Sequence, residues 1–142
     1  MATISDVQMN IQRMLQSLFG TVQLDGDGDF VFRAESTLAF GQVLDWGDGD
    51  FVFNVWAPVL VDVPITNELC RYVATESFVL GNLRLAEQED GKTAELQFQY
   101  RIIANDIDES ELKHAVSAVV LVADDLDDKL VKRFGGQLAL SD

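Results

Sequence analysis

The sequence predicts an α+β fold in which a single antiparallel sheet of about five strands carries three helices, in the order α-β-β-β-α-β-β-α, and three observations predict it. Apolar residues recur at three-and-four spacing near both ends of the chain, from Val7 to Phe19 and from Leu112 to Phe134. Leu96, Phe98, Tyr100 and Ile102 alternate with Gln97, Gln99 and Arg101, the period of a strand with one buried and one wet face. Asp-Gly turns also lead into two of the three strands expected between Val22 and Ala57. A sheet covered on one face only is an α+β layer and not a doubly wound parallel sheet.

In chain order, Ser5 to Gln8 has capping-box spacing, so a first helix is expected from there to a stop at Gly20. The heptapeptide GDGDFVF occurs twice, at Gly26 to Phe32 and at Gly47 to Phe53, and each copy reads as a turn entering a strand. With the run Thr37 to Trp46 between them, Val22 to Ala57 is expected to form a three-stranded meander. Pro58 and Pro64 then bracket Val59 to Val63, and Thr66 caps a short second helix carrying Leu69, Cys70 and Val73. Strands at Val79 to Glu87 and Thr93 to Ala104 join through a turn at Glu89 to Lys92. Asp108 and Glu111 cap the long last helix, which Gly135-Gly136 ends. Asp125 with Lys129 and Asp128 with Lys132 have i,i+4 spacing, which makes the acids from Asp124 to Asp128 a solvated helix face rather than a metal site. Gln97, Gln99, Arg101, Asn82 and Arg84 are expected to mark the open face of the sheet.

Residues 1–142 are read as one domain, long enough to bury a core without disulfides or metals. Ten Lys and Arg against 24 Asp and Glu give a formal charge of −14, which disfavours nucleic acid and anionic membranes and points to a neutral or basic protein or peptide client. No apolar run reaches the ~18 residues of a membrane span, and the N-terminus lacks a basic segment followed by an apolar one. A cytoplasmic location is expected. Cys70 is the only cysteine and reads as a small buried hydrophobe.

No catalytic group and no cofactor is expected, and therefore no enzyme. His114 is the only histidine, and neither a Ser-His-Asp nor a Cys-His arrangement can be named around it. One Cys and one His give no structural zinc site. Asp25 to Asp29 begins like a calcium loop, but Phe30 stands at the sixth position where Gly is needed, and Ser36 at the twelfth in place of Glu. The Gly47 to Asp50 turn lacks the spacing and the Lys of a phosphate loop.

Three segments carry a resemblance: DGDFVF at Asp27 to Phe32, FNVWAPVLVDVPITNEL at Phe53 to Leu69, and DDLDDKLVKRFGG at Asp124 to Gly136. Together with the element order they resemble the YbjN-like proteins and, more broadly, the type III secretion chaperone fold, over nearly the whole chain. None of these motifs is catalytic. What the resemblance implies is a non-enzymatic protein- or peptide-binding module, chaperone-like or regulatory, commonly a homodimer. The third strand offers Phe51, Phe53 and Val55 on one face and Val52 and Trp56 on the other, one set being core, and Trp46 and Trp56 suit a half-exposed contact. A dimer contact is expected around Leu69, Val73 and Phe78. The alternative reading is a small-molecule or ion-responsive domain that senses through its Asp-Gly turns.

Overall fold

The computed structural model describes residues 2–139. Its strands are β1 (Val22–Leu24), β2 (Phe30–Ala34), β3 (Thr37–Gly47), β4 (Asp50–Pro64), β5 (Asn82–Glu87), β6 (Thr93–Ile103) and β7 (Gln137–Leu138). All pairs are antiparallel, in the order β1-β2-β3-β4-β6-β5, with β7 added to β4. The architecture is the α+β layer predicted. Seven strands replace about five because β1 and β7, three and two residues long, are too short to show a period in sequence.

The helices are α1 (Ile4–Phe19), α2 (Asn67–Thr75) and α3 (Glu109–Phe134). The cap of α1 is Thr3 and not Ser5: the Thr3 hydroxyl accepts from the Asp6 amide, and the Asp6 carboxylate accepts from the Thr3 amide. Asp108 and Glu111 form the same reciprocal pair at the start of α3. Val7, Ile11 and Leu15 of α1, with Leu112, Val116 and Val119 of α3, cover one face of the sheet and close the core.

β4 is the centre of that sheet. It pairs with β3 over its first half, with β6 along most of its length and with β7 beyond the β3 pairing. Phe51, Phe53, Val55, Ala57 and Val59 point to the helices in strict alternation until the ladder shifts between Pro58 and Leu60, and again before Val63. The second irregularity carries Asp62 at φ 55°, and the Gln88 side chain fills it, accepting from the Asp62 amide and donating to the Asp62 carboxylate. Phe53 pairs with Val43, and its ring leans diagonally over Gly41, the partner of Val55, where a Cβ would meet the phenyl ring at 2.5 Å; Phe53 occupies the space a side chain there would need.

The two GDGDFVF copies share the geometry of their last five residues but not of their first two, since Gly47 and Asp48 have positive φ and Gly26 and Asp27 do not. In each, the Gly before the last Asp has φ 81°, the two Phe residues enter the core, and the Val between them turns to the uncovered face. Asn105, just after β6, accepts from the Phe51 amide and donates to the Gly49 carbonyl, which fixes the tip of the β3–β4 hairpin against the end of β6.

α2 lies against β5, with Leu69 fully buried. Its outer side is tied to α3 by Arg133, whose guanidinium sits 5.0 Å from the Tyr72 ring centroid and 4.8 Å from that of Phe134, with Nε 3.3 Å from Glu68. That is the one ion pair among the described residues. The expected Asp125–Lys129 and Asp128–Lys132 pairs do not close to bonding distance, as suits long side chains free in water on an outer helix face. No helix among the described residues is long and apolar enough to cross a membrane.

Candidate functional site

On the face of the sheet opposite the helices, the described residues of β3, β4 and β6 stand in register and uncovered by a helix. Strand pairing orders them into rows. Leu44, Val52 and Ile103 form one row, beside the hairpin tip and Trp46. Gln42, Asn54 and Arg101 form the next, and Val31, Phe40, Trp56 and Gln99 the third. Phe40 and Trp56 stack with centroids 5.6 Å apart. Rows on one face lie two residues apart, about 6.8 Å along the strands.

This arrangement divides the residues singled out from sequence. Phe51, Phe53 and Val55 lie in the core beneath the helices, out of reach of any partner. Trp46, 69% exposed, and Trp56, half-buried, stand on the open face together with Val52. Trp56 does not pack under α2; the alternation of β4 sends it to the other side of the sheet. Leu69 and Phe78, expected near a dimer contact, are drawn inward: Leu69 is buried, and Phe78 meets Phe98 edge-on at 5.1 Å.

The open face is polar along the Gln42–Asn54–Arg101 row and on its β5–β6 side. On the β5–β6 side Arg84 donates to Gln97 Oε1 at 3.2 Å, and the Gln97 amide donates to Glu95. Gln97 and Gln99 were expected to be wet, but their neighbours on β4 and β5 cover them and both are buried. On either side of the polar row the face turns apolar. Leu44 and Phe40 escaped the sequence reading because β3 carries apolar residues on both sides: Ala39, Gly41 and Val43 go inward, so no alternation of polarity shows which way the strand faces; Ile103, the last residue of β6, joins them only through its pairing with Val52. The missing side chain at Gly41 was the available signal, since a Cβ there would meet the Phe53 ring.

Two shallow depressions share Leu44 and Arg101. The first, about 540 Å³, is lined by Leu44, Asp45, Trp46, Val52, Arg101 and Ile103. The second, about 250 Å³, is lined by the polar row with Asp29, Arg84, Trp56 and Gln99. Asn54 is 7% exposed, and its Oδ1 is buried with no hydrogen-bond partner among the described residues; Asp29 Oδ1 is in the same condition. Burial first, then the nearby Asp25 and Asp27 charges, push the Asp29 carboxyl above the ordinary carboxylate range.

Asp25, Asp27 and Asp29 bring carboxylate oxygens within 4.8 Å of one another. Asp25 Oδ1 already accepts from the amides of Asp27 and Asp29, so its first task is to shape the turn. Cys70 is exposed, contrary to the expectation of a buried thiol: α2 touches the body through Leu69, and the next residue points away. His114 is exposed with Nδ1 2.7 Å from the Ser110 carbonyl oxygen of its own helix. Asp127 lies half-buried beside Ser36, Thr37 and Asp124, and burial raises its carboxyl.

A model of the family described as T3SS (YopN, CesT) and YbjN peptide-binding chaperone 1 matches residues 5–142. No curated protein sequence matches. Among solved structures, YbjN from E. coli, a putative transcription regulator, superposes with a TM-score of 0.60 at 11% identity, over 89% of this chain and 93% of that one. An uncharacterized protein from Methanothermobacter thermautotrophicus gives 0.54 at 11% identity, over 91% and 99%. The Yersinia pestis type III secretion chaperone SycH, solved in complex with a stable fragment of YscM2, gives 0.49 at 13% identity, over 87% and 99%.

Proposed function

The chain belongs to the T3SS (YopN, CesT) and YbjN peptide-binding chaperone family, and from that premise we propose that it is a non-enzymatic module that holds an extended protein or peptide segment on the open face of its sheet. One observation carries the choice of surface. The row Leu44–Val52–Ile103 and the adjoining Trp46 stand uncovered, with Trp46 69% and Ile103 52% exposed, where a fold with no partner for this face would carry polar residues. Indole and aliphatic side chains beside hydrogen-bonding amides are the mixture that recurs where polypeptides dock. The side chains with chemical reactivity do not converge there: Cys70 lies on α2, and His114 is turned onto its own helix backbone.

The experiment is a peptide array probed with purified protein. Val52→Asp, which sets a charge in the apolar row, is expected to lose most retained peptides, whereas Lys113→Asp on the helix side keeps them. Equal binding by Val52→Asp and the parent protein would remove this face from consideration.

A homodimer is part of the proposal. Supporting it is the loop after α2, where Val79 is fully exposed and Leu80 is 43% exposed. Light scattering should return twice the chain mass, and Val79→Asp should lower it; a monomer at every concentration would refute this part. The single exposed thiol suits a reducing compartment, the cytoplasm. Growth-phase fractionation that found the protein outside it would refute that placement.

A further inference from the structure

The rows of the open face differ in chemistry in a fixed sequence, apolar, then polar with one cation, then aromatic. An extended polypeptide laid on a sheet has the same two-residue repeat as the strand beneath it, and packs within about 30° of it. Successive rows therefore meet residues i, i+2 and i+4 of the same segment. Deepening the peptide-binding reading, on which it rests, we propose that the open face selects a segment of the form apolar-any-acidic-any-apolar laid along β4, with its acid on Arg101.

Arg101 decides the central position. It is exposed, lines both depressions, and has no carboxylate within 4.0 Å among the described residues. Arg84 borders the same depression and adds a second positive charge. Asp29 is the acid on that side, but one of its two oxygens is shut away from the surface, which leaves it a poorer partner for a basic residue. Across the strand from Arg101, the Asn54 side chain makes no hydrogen bond among the described residues, so its amide is uncommitted. Flanking this row, Val52 with Leu44 and Ile103 receives the first apolar residue, and the Phe40–Trp56 stack receives the second.

A second copy of the chain fits less well. A two-fold contact centred on this row would bring Arg101 against its own symmetry mate. The net charge of −14 does not oppose an acid at one position, because exposed charges more than about 8 Å away are largely screened at physiological salt. It requires only that the rest of the client be neutral or basic.

The test uses three fluorescein-labelled, C-terminally amidated nonapeptides read by polarisation: Gly-Ser-Leu-Thr-Glu-Thr-Phe-Ser-Gly and its versions with Gln or Lys in place of Glu. The parent protein should bind the Glu peptide about tenfold more tightly than the Lys peptide, with Gln between. Arg101→Glu should reverse the order and Arg101→Gln should level it; Arg101 is exposed, so neither change should alter the melting temperature appreciably. An order unchanged by Arg101→Glu would overturn the acidic preference, and if Val52→Asp still weakened all three peptides the peptide-binding reading would survive. Failure of every peptide to bind, with the emission of Trp46 and Trp56 unmoved, would overturn both. A dimer that Arg101→Glu strengthens would assign the face to a second copy and overturn the inference.

Discussion

Replacing Asn54 by Val should make the protein more stable. Asn54 is 7% exposed, its Oδ1 has no hydrogen-bond partner among the described residues, and no hydrogen bond among them is lost with its side chain. A buried acceptor left unsatisfied costs about 1–3 kcal/mol, and Val also suits a half-buried strand better than Asn does. A gain of about 2 kcal/mol is therefore expected. At about 2.1 cal/mol/K per residue, unfolding 142 residues carries an entropy near 300 cal/mol/K, so this gain raises the melting temperature by roughly 6–7 °C. Differential scanning calorimetry measures it directly, and urea unfolding should show a higher midpoint at unchanged slope. A melting temperature that stayed level or fell would refute the reasoning, since it would mean that Oδ1 is satisfied, by ordered water or by a second chain. The same variant should bind the acidic nonapeptide several-fold more weakly, having lost the amide beside Arg101.

Gly41→Ala should destabilise the fold by about 1–3 kcal/mol, because its Cβ would meet a fully buried phenyl ring at 2.5 Å; Phe53→Leu in the same chain should restore part of the loss, and thermal melts of the two variants decide it. Asp29→Asn should stabilise at neutral pH and have little effect in acid. The folded-state carboxyl titrates above its unfolded value of 3.8, so its relative contribution is fully present below that value and is lost as pH rises through the raised folded value. Urea midpoints of parent and variant should thus converge below pH 4 and separate toward pH 7, and parallel profiles would contradict it. Cys70 should react with a thiol reagent in the native protein, one equivalent per chain; a requirement for denaturant would show it covered.

The element order was legible in the sequence because most elements carry a clear period or a cap, as in Leu96 to Ile102 and at Asp108 with Glu111. Thr3 was missed as the cap of α1 because Thr3-Asp6 and Ser5-Gln8 have the same spacing, and only the path of the helix distinguishes them. β4 was cut at Pro58 in sequence, yet the strand continues through the proline, because the ladder shifts there and spares the missing N–H. Of the open face, Val52 and Trp56 were readable as one alternative, since alternation separates the two sides of a strand without saying which is inward. What sequence did not reveal was the row structure. Asn54 acquires its meaning from Gln42 and Arg101, which only strand register brings beside it.

That register also sets a timetable. The turn at Gly47 to Asp50 closes β3 onto β4 within a few residues, whereas the partner on the other side of β4, β6, lies beyond α2 and β5 in the chain. Local pairings form in microseconds, and distant ones wait on the closure of a long loop. The nascent chain thus holds a β3–β4 hairpin whose β4 edge lacks its partner strand until β6 emerges, and whose inner face has α1 but not yet α3 to cover it. Substitutions at Val43 should slow refolding and those at Leu96 should mainly speed unfolding, a division that kinetic φ-values would reveal.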